Sequence, residues 1–234
     1  MPFRPFNPNA PVSRHYGNLP HWEQQGTTYF VTSRLADSLP GDVIDHWRAL
    51  RDAWLNARGL ASPEQLDRLG GEEKQAYHRE FTARFHELLD AGHGACPLSD
   101  ATCAAFLIRR LVEGHVSRYH LDAWVIMPNH FHALVEPEED SDLGDIVQRW
   151  KGGSAREINL VRGISGKLWH REAFDHIVRS EAQLNHFRRY IAMNPSRAGL
   201  KAGCVLGIGA ESGLSADAVL ERYGLQPKQS TREL

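Results

Sequence analysis

Two histidines, His130 and His132, flank a single phenylalanine in the stretch YHLDAWVIMPNHFHALVE, Tyr119–Glu136. Alternate side chains of a β-strand share a face, so imidazoles at i and i+2 stand side by side. Phe131, Ala133 and Val135 then take the other face. Paired imidazoles on a rigid strand are one way to hold a divalent metal ion with coordination positions left open. Ligands of one ion need their nitrogens within about 4 Å of each other, and this spacing predicts that geometry. A plainer reading competes: such a pair is more often two partly buried histidines satisfied by backbone or water. The spacing alone does not choose.

A second candidate lies on the predicted helix Glu181–Met193, which Ser180 caps and Asn194-Pro195 would stop. Leu184, Phe187 and Ile191 form its inward stripe, with Tyr190 and Asn194 one turn apart along the edge. A tyrosine there is usually core packing. Arg188, Arg189 and Asn194 nevertheless give it a polar, cationic setting. A hydroxyl close to a metal and arginines can serve as a nucleophile towards phosphorus. A zinc hydrolase would want a third strong ligand, which Asp175 or His176 could supply. A histidine triad would want histidine at position 134, which is leucine.

The elements that must position these groups follow from pattern. His120–Met127 and His130–Glu136 read as two strands joined at Pro128-Asn129. Pro-Asn is not the usual two-residue hairpin turn, so a loop one or two residues longer is equally open. Thr27–Leu35 reads as the first strand, with Tyr29, Val31 and Leu35 on one face and Thr28, Thr32 and Arg34 on the other. Helical spacing marks Asp42–Arg58 (Val43, Trp47, Leu50, Trp54) and Glu73–Leu89 (Tyr77, Phe81, Phe85, Leu88), with Ser62-Pro63 opening a helix between them. The second of these reads as an ordinary amphipathic insertion. Ser99-Asp100 caps a helix running to about Ser117, and Leu143–Asn159 is a helix interrupted by Gly152-Gly153. Lys167–Trp169 and Phe174–Val178 look like short strands, and the Gly-rich tail from Ala202 holds one short helix, Ala216–Tyr223. This order predicts an α+β domain, an antiparallel sheet with helices packed on one face.

The chain of 234 residues suits one domain with an insertion. Its apolar runs are strand-sized, too short for a membrane span. The start, MPFRPFNPNAPVSRH, lacks a signal-peptide core and reads as a Pro/Asn-rich flexible arm. Cys96, Cys103 and Cys204 form no C-x-x-C pair, which argues for a reducing compartment, the cytoplasm. A net charge of −2 does not advertise nucleic-acid binding. Between Asp142 and Arg197, however, ten basic residues face six acids. A locally basic face suits a phosphate backbone, with Lys151, Arg156, Arg188 and Arg189 as candidate DNA contacts. A solvated mixed surface would look the same on charge alone.

Four segments in order, MPNHFH, WKGGSAREIN, LWHREAFDHIVR and RRYIAMNPSRAGL, resemble the REP-associated tyrosine transposases of the single-tyrosine HUH nuclease superfamily. The resemblance covers roughly Gly26 to Leu200, with Pro40–Cys96 as a longer helical insertion than compact members carry. It implies a ferredoxin-like antiparallel sheet in a transposase-like domain over 1–200, with the insertion at about 40–96 and a tail at 201–234. It implies that His130 and His132 bind Mg²⁺ or Mn²⁺, that Asn194 completes the site, and that Tyr190 attacks a phosphate of single-stranded DNA. The product would be a 5′-phosphotyrosine link and a free 3′-hydroxyl, and the strand could be rejoined without ATP. The implied partner is single-stranded or hairpin DNA with a flanking single-stranded tetranucleotide, bound by a monomer or homodimer needing neither membrane nor small-molecule cofactor. The chain departs from the pattern at Ser196, where an aliphatic residue is common, and in a tail without a Trp/Ser-rich close. Two other classes stay open: a DNA-binding module without turnover, and a metal-dependent phosphohydrolase.

Overall fold

The strand that carries the two histidines is buried along its whole length, so the sheet around it needs cover on both faces. The computed structural model describes residues 3–16, 20–200, 205–208, 218 and 221–222. Its first elements are a short antiparallel pair, β1 (Ser13–Tyr16) and β2 (Pro20–Glu23), followed by β3 (Tyr29–Arg34). The insertion comes next: α1 (Gly41–Asn56), a 3₁₀ segment Pro63–Arg68, α2 (Gly71–Tyr77), a π-helical turn His78–Thr82 and α3 (Ala83–Asp90). Then follow α4 (Ala101–Val112), β4 (Tyr119–Met127), β5 (His130–Pro137), α5 (Leu143–Arg162), β6 (Phe174–Ile177), α6 (Glu181–Arg197) and β7 (Val205–Ile208).

Among the described residues the main sheet has five strands in the order β6-β3-β5-β4-β7, every pair antiparallel. Without β7, the run β3-α4-β4-β5-α5-β6 gives the predicted ferredoxin-like α+β arrangement, with β3 and β5 central. One face buries Tyr29, Val31, Trp124, Ile126, Phe131 and Ala133 under α4 and α5. This is the helical layer expected from the sequence. The second face is covered as well, because Phe30, Val125 and Leu134 make it apolar and pack against Leu184 and Ile191 of α6. A bulge in β4, where Leu121 pairs with Val135 but Trp124 with Ala133, sets Asp122 and Ala123 opposite one residue of β5.

Met127 pairs with His130, so the hairpin turn is the two residues Pro128-Asn129. Neither has a positive φ, so this is not the mirror-image turn usual in tight hairpins. Outside ties hold it instead: Leu35 N–H donates to the Asn129 carbonyl (2.8 Å) and Leu98 N–H to the Pro128 carbonyl (3.2 Å).

Elsewhere the structure departs from expectation for identifiable reasons. α6 runs through Asn194-Pro195 to Arg197, because Ala198 and Leu200 N–H close further turns on the Asn194 and Pro195 carbonyls. α5 passes unbroken through Gly152-Gly153. Only Trp169 of the expected strand 167–169 pairs, in a single bridge to Leu35. The N-terminal arm is docked rather than free: Phe6 N–H donates to Val178 O, Thr28 N–H to Arg4 O, and Arg4 pairs with the buried Glu136 (3.3 Å). The strand β7 was not foreseen. The expected tail helix 216–223 lies for the most part outside the described residues, as does Cys204. No helix among the described residues is long and apolar enough to cross a membrane.

Gly153 explains its own presence. A Cβ there would lie 2.6 Å from Arg110 Nε and 2.7 Å from its Cδ, whereas one at Gly152 would meet nothing within 4 Å. Arg110 uses that space to reach Glu157 on α5 (2.9 Å). Gly152→Ala should therefore stabilise the protein by about 1 kcal/mol through helix propensity. Gly153→Ala should gain nothing or destabilise, since it displaces Arg110. Urea unfolding of the two variants compares them directly, and equal gains would show that the Arg110 contact imposes no constraint.

Candidate active site

The register of β5 against β3 sets Thr32 opposite His132 and Arg34 opposite His130. Both imidazoles are fully buried on the α6 face of the sheet, and their Nε2 atoms are 3.1 Å apart, inside the expected limit. Each ring is held from behind. Asn129 Nδ2 donates to the His93 carbonyl (2.9 Å), which leaves its Oδ1 facing His130 Nδ1 at 2.7 Å. An amide oxygen only accepts, so His130 carries its proton on Nδ1 and presents a lone pair at Nε2. His132 Nδ1 lies 2.8 Å from Thr32 Oγ1. A hydroxyl can donate or accept, so Thr32 supports either tautomer of His132. One tautomer lets His132 Nε2–H donate to His130; the other turns both lone pairs into one gap, as a metal requires.

Phe30 floors the site, stacked on His132 at 5.3 Å and on Phe187 at 4.3 Å between centroids. The Tyr190 ring lies edge-on to His132 at 5.2 Å, with the Arg197 guanidinium 5.5 Å from its centroid. The insertion closes the site from the other side. Asp90 Oδ1 is 3.5 Å from His130 Nε2, and Asp90, His130 and His132 offer ligand atoms all within 4.8 Å of one another. The His86 ring is 5.6 Å from both His132 and Tyr190.

Burial dominates the electrostatics. It lowers His130 to a pKa of about 3, His86 to about 4 and His132 well below its usual value, with the neighbouring histidines and, at His86, Arg197 adding to the effect. The imidazoles are therefore neutral at pH 7, and the short Asp90–His130 approach is not an ion pair. Burial raises Asp90 to about 6 and Tyr190 well above an ordinary phenol, Asp90 contributing to the latter. Several buried polar atoms here lack a well-formed hydrogen bond: Asp90 Oδ1, His86 Nε2, Tyr190 OH and both side-chain amide atoms of Asn194, although the Asn194 amide still favours the Tyr190 phenolate. Unpaired buried groups are costly and uncommon, so their gathering in one place marks a site built for a ligand. Two neutral imidazoles and a carboxylate, with ligand atoms converging on one point, are a donor set that can hold a divalent cation.

The structure thus brings together His130, His132 and Tyr190, with the buried Asn194 one turn after Tyr190 on α6. Asp175 and His176 are not part of the cluster; His176 Nε2 meets Gln183 Nε2 at 2.8 Å instead. Sequence reading missed Asp90, His86 and Arg197. His86 and Asp90 are spaced i, i+4 on one face of α3, a polar pair in an otherwise amphipathic pattern, and that was the available signal.

Residues 110–194 match the sequence model of the family described as "Transposase IS200 like". The match covers that segment of the chain and not its N-terminal part. It contains His130, His132, Tyr190 and Asn194, and excludes His86 and Asp90. Over 82 residues the chain is 27% identical to the REP-associated tyrosine transposase of Escherichia coli (strain K12), a match covering 35% of this chain and 47% of that protein. The matched stretch thus spans about half the length of this curated relative. A solved REP-associated tyrosine transposase bound to a REP hairpin aligns at a TM-score of 0.37 and 17% identity, covering 75% of this chain and 70% of the other. The resemblance to the REP-associated tyrosine transposases stands on the family match and the curated relative together.

Within the matched segment the four candidate DNA contacts are not equivalent. Lys151 and Arg156 are on α5, over the sheet face opposite the histidines, and Arg188 and Arg189 are on α6. Lys151 Nζ donates to Arg171 O (2.8 Å), and its burial lowers the ammonium to a pKa of about 8. Arg188 grips Asp122 at the β4 bulge with two bonds of 2.6 and 2.9 Å. Arg156 and Arg189 are exposed. Arg188→Ala strands the buried Asp122 carboxylate and should cost about 1–3 kcal/mol. Arg189→Ala should stay within about 0.5 kcal/mol. Adding Asp122→Asn to Arg188→Ala should recover part of the loss in denaturant unfolding.

Proposed function

We propose that this chain is a metal-dependent single-stranded DNA endonuclease and strand transferase, a transposase acting through a 5′-phosphotyrosine intermediate on hairpin-forming repeat DNA. The single observation that supports it most is the buried Tyr190 hydroxyl, without a well-formed hydrogen bond, on a ring 5.2 Å from one of two histidines whose Nε2 atoms converge. The domain reading goes with it: a transposase-like domain over 1–200, an insertion at about 40–96, a tail at 201–234, and a cytoplasmic location for a monomer or homodimer. The E. coli relative is named a REP-associated tyrosine transposase, and hairpin DNA is the substrate that this likeness favours.

His130, His132 and Asn194 hold Mg²⁺ or Mn²⁺ in this reading, and the bound cation would supply charge neutralisation at the phosphate. Tyr190 is the nucleophile: its oxygen bonds to phosphorus while the bond to the 3′-oxygen breaks, leaving a 3′-hydroxyl. Because burial holds the phenol protonated at neutral pH, its proton must leave as the oxygen attacks. Asn129 and Thr32 keep the two imidazoles aimed at one point. Arg197, over the Tyr190 ring, adds positive charge beside the attacking oxygen. Arg156, Arg189, Lys151 and Arg188 bind the DNA backbone, the exposed Arg156 and Arg189 without first releasing an internal partner.

Incubation with single-stranded hairpin oligonucleotides and Mn²⁺ tests the reading, with a covalent protein–DNA adduct as the readout. Tyr190→Phe removes only the hydroxyl, so DNA binding should persist while cleavage and adduct both vanish. His130→Ala should also abolish cleavage, with partial rescue by excess Mn²⁺ that Tyr190→Phe never shows. Metal-dependent cleavage by Tyr190→Phe would overturn the mechanism in favour of a hydrolase. DNA affinity should fall with salt, and charge reversal at Arg189 should lower the log–log slope by about 0.7 for each phosphate no longer neutralised. An unchanged slope removes Arg189 from the interface.

A further inference from the structure

We propose that Asp90 is a further protein ligand of the same cation, so that metal binding and docking of the helical insertion on the catalytic face are one linked equilibrium. The inference rests on the metal reading above and goes beyond it, since Asp90 lies outside the matched transposase segment.

Three observations carry it. Asp90 Oδ1 approaches His130 Nε2 at 3.5 Å and completes the only cluster of three His, Cys, Asp or Glu side chains among the described residues whose ligand atoms converge. That oxygen is buried and has no hydrogen-bond partner, although a buried carboxylate ordinarily collects donors. His130 cannot satisfy it, because its Nδ1 proton goes to Asn129 and its Nε2 offers only a lone pair. The His130 Nε2 lone pair and the unpaired Asp90 oxygen face each other across one gap and repel until a cation enters.

The insertion is built to depend on such a tether. It has its own apolar cluster, Leu55, Leu60, Tyr77 and Phe81 packed with Trp47 and Trp54, separate from both cores of the sheet. The π-helical turn at His78–Thr82 ends that run, and α3 then turns His86 and Asp90 to the site. His86 meets Phe30, His132 and Phe174 edge-on and Tyr190 at a tilt of 40°, with Nε2 unpaired. The helix nearest the catalytic face thus presents a histidine and a carboxylate there. A ligand that binds only the docked form shifts the docking equilibrium by its own binding free energy. His86 of α3 also lies against the Tyr190 ring, whose hydroxyl is buried.

The test uses the full chain and Mn²⁺ alone, without DNA. Mn²⁺ affinity is measured by electron paramagnetic resonance, and hydrogen exchange of α3 amides is followed with and without Mn²⁺. Wild type should bind Mn²⁺ and show slowed exchange across α3. Asp90→Asn should weaken Mn²⁺ binding by about 10–100-fold and abolish the Mn²⁺-dependent slowing, at an unchanged metal-free melting temperature. Asp90→Cys should bind Cd²⁺ more tightly than Asp90→Asn does, because a thiolate prefers the softer ion, a gain that a structural role for Asp90 would not give. His130→Ala should weaken Mn²⁺ binding at least as strongly, leaving occupancy only at excess Mn²⁺. Wild type that binds no Mn²⁺ overturns the metal reading beneath the proposal. Wild-type affinity in Asp90→Asn, with loss in His130→Ala, overturns this inference alone, as does α3 exchange that Mn²⁺ leaves unchanged.

Discussion

The pairing of β5 with β3 is the constraint on which everything else depends. Thr32 opposite His132 and Arg34 opposite His130 fix which way both imidazoles point. A slip of one residue would turn His130 and His132 into the apolar layer under α4 and α5, and Phe131 and Ala133 out of it. Register is enforced by that layer, where Phe131 and Ala133 pack with Trp150, and by the tied turn at Pro128-Asn129. The face that carries the histidines is thus specified by the packing of the opposite face. The Thr32–His132 bond is then a consequence of register, as the Asn129–His130 bond is of the turn.

A face specified in this way can tolerate being poorly satisfied. Tyr190 OH, Asn194, His86 and Asp90 together leave five buried polar atoms without a well-formed hydrogen bond. Each such atom costs about 1–3 kcal/mol relative to a hydrogen-bonded one. A fold of this size is stable by only about 5–15 kcal/mol, so the cost must be met elsewhere and argues for a purpose. The layer around Trp124, Trp150 and Phe131 offsets it, and the helix pair α4–α5 adds the Arg110–Glu157 pair admitted by Gly153. The larger apolar layer lies on one side of the sheet and the candidate site on the other.

Much of this was legible in the sequence because it is local. Alternation in Thr27–Leu35 and His130–Glu136 gave the two faces correctly, and Ser180 does cap α6, accepting from Gln183 N–H at 3.2 Å. What failed depends on contacts distant in sequence. Phe30, Val125 and Leu134 make a second apolar face only once three strands are aligned, so the cover by α6 could not be read from any one segment. The arm at Phe3–Asn7 has loop composition, yet it docks through backbone bonds to Thr28 and Val178. Asp90 is the clearest case. It lies at the end of an amphipathic run whose pattern is explained by its own small core, and nothing local shows that its last turn meets a strand some forty residues on.

The path of α6 through Asn194-Pro195 shows how a local rule yields to the site. Proline in a helix removes one backbone bond and crowds the carbonyl four residues before it, here that of Ile191. Ending the helix at Met193 would avoid that strain, and the sequence invites it. Yet Asn194 would then leave helical geometry and no longer be held one turn beyond Tyr190 on the same face. As built, Pro195 falls in the last turn, where few bonds depend on it, and Asn194 stays fully buried behind Tyr190. The strain is therefore placed where it keeps two polar groups in line beside the histidines. The same logic covers the unpaired atoms around them: each is a local cost retained because the arrangement as a whole presents converging donors to one gap.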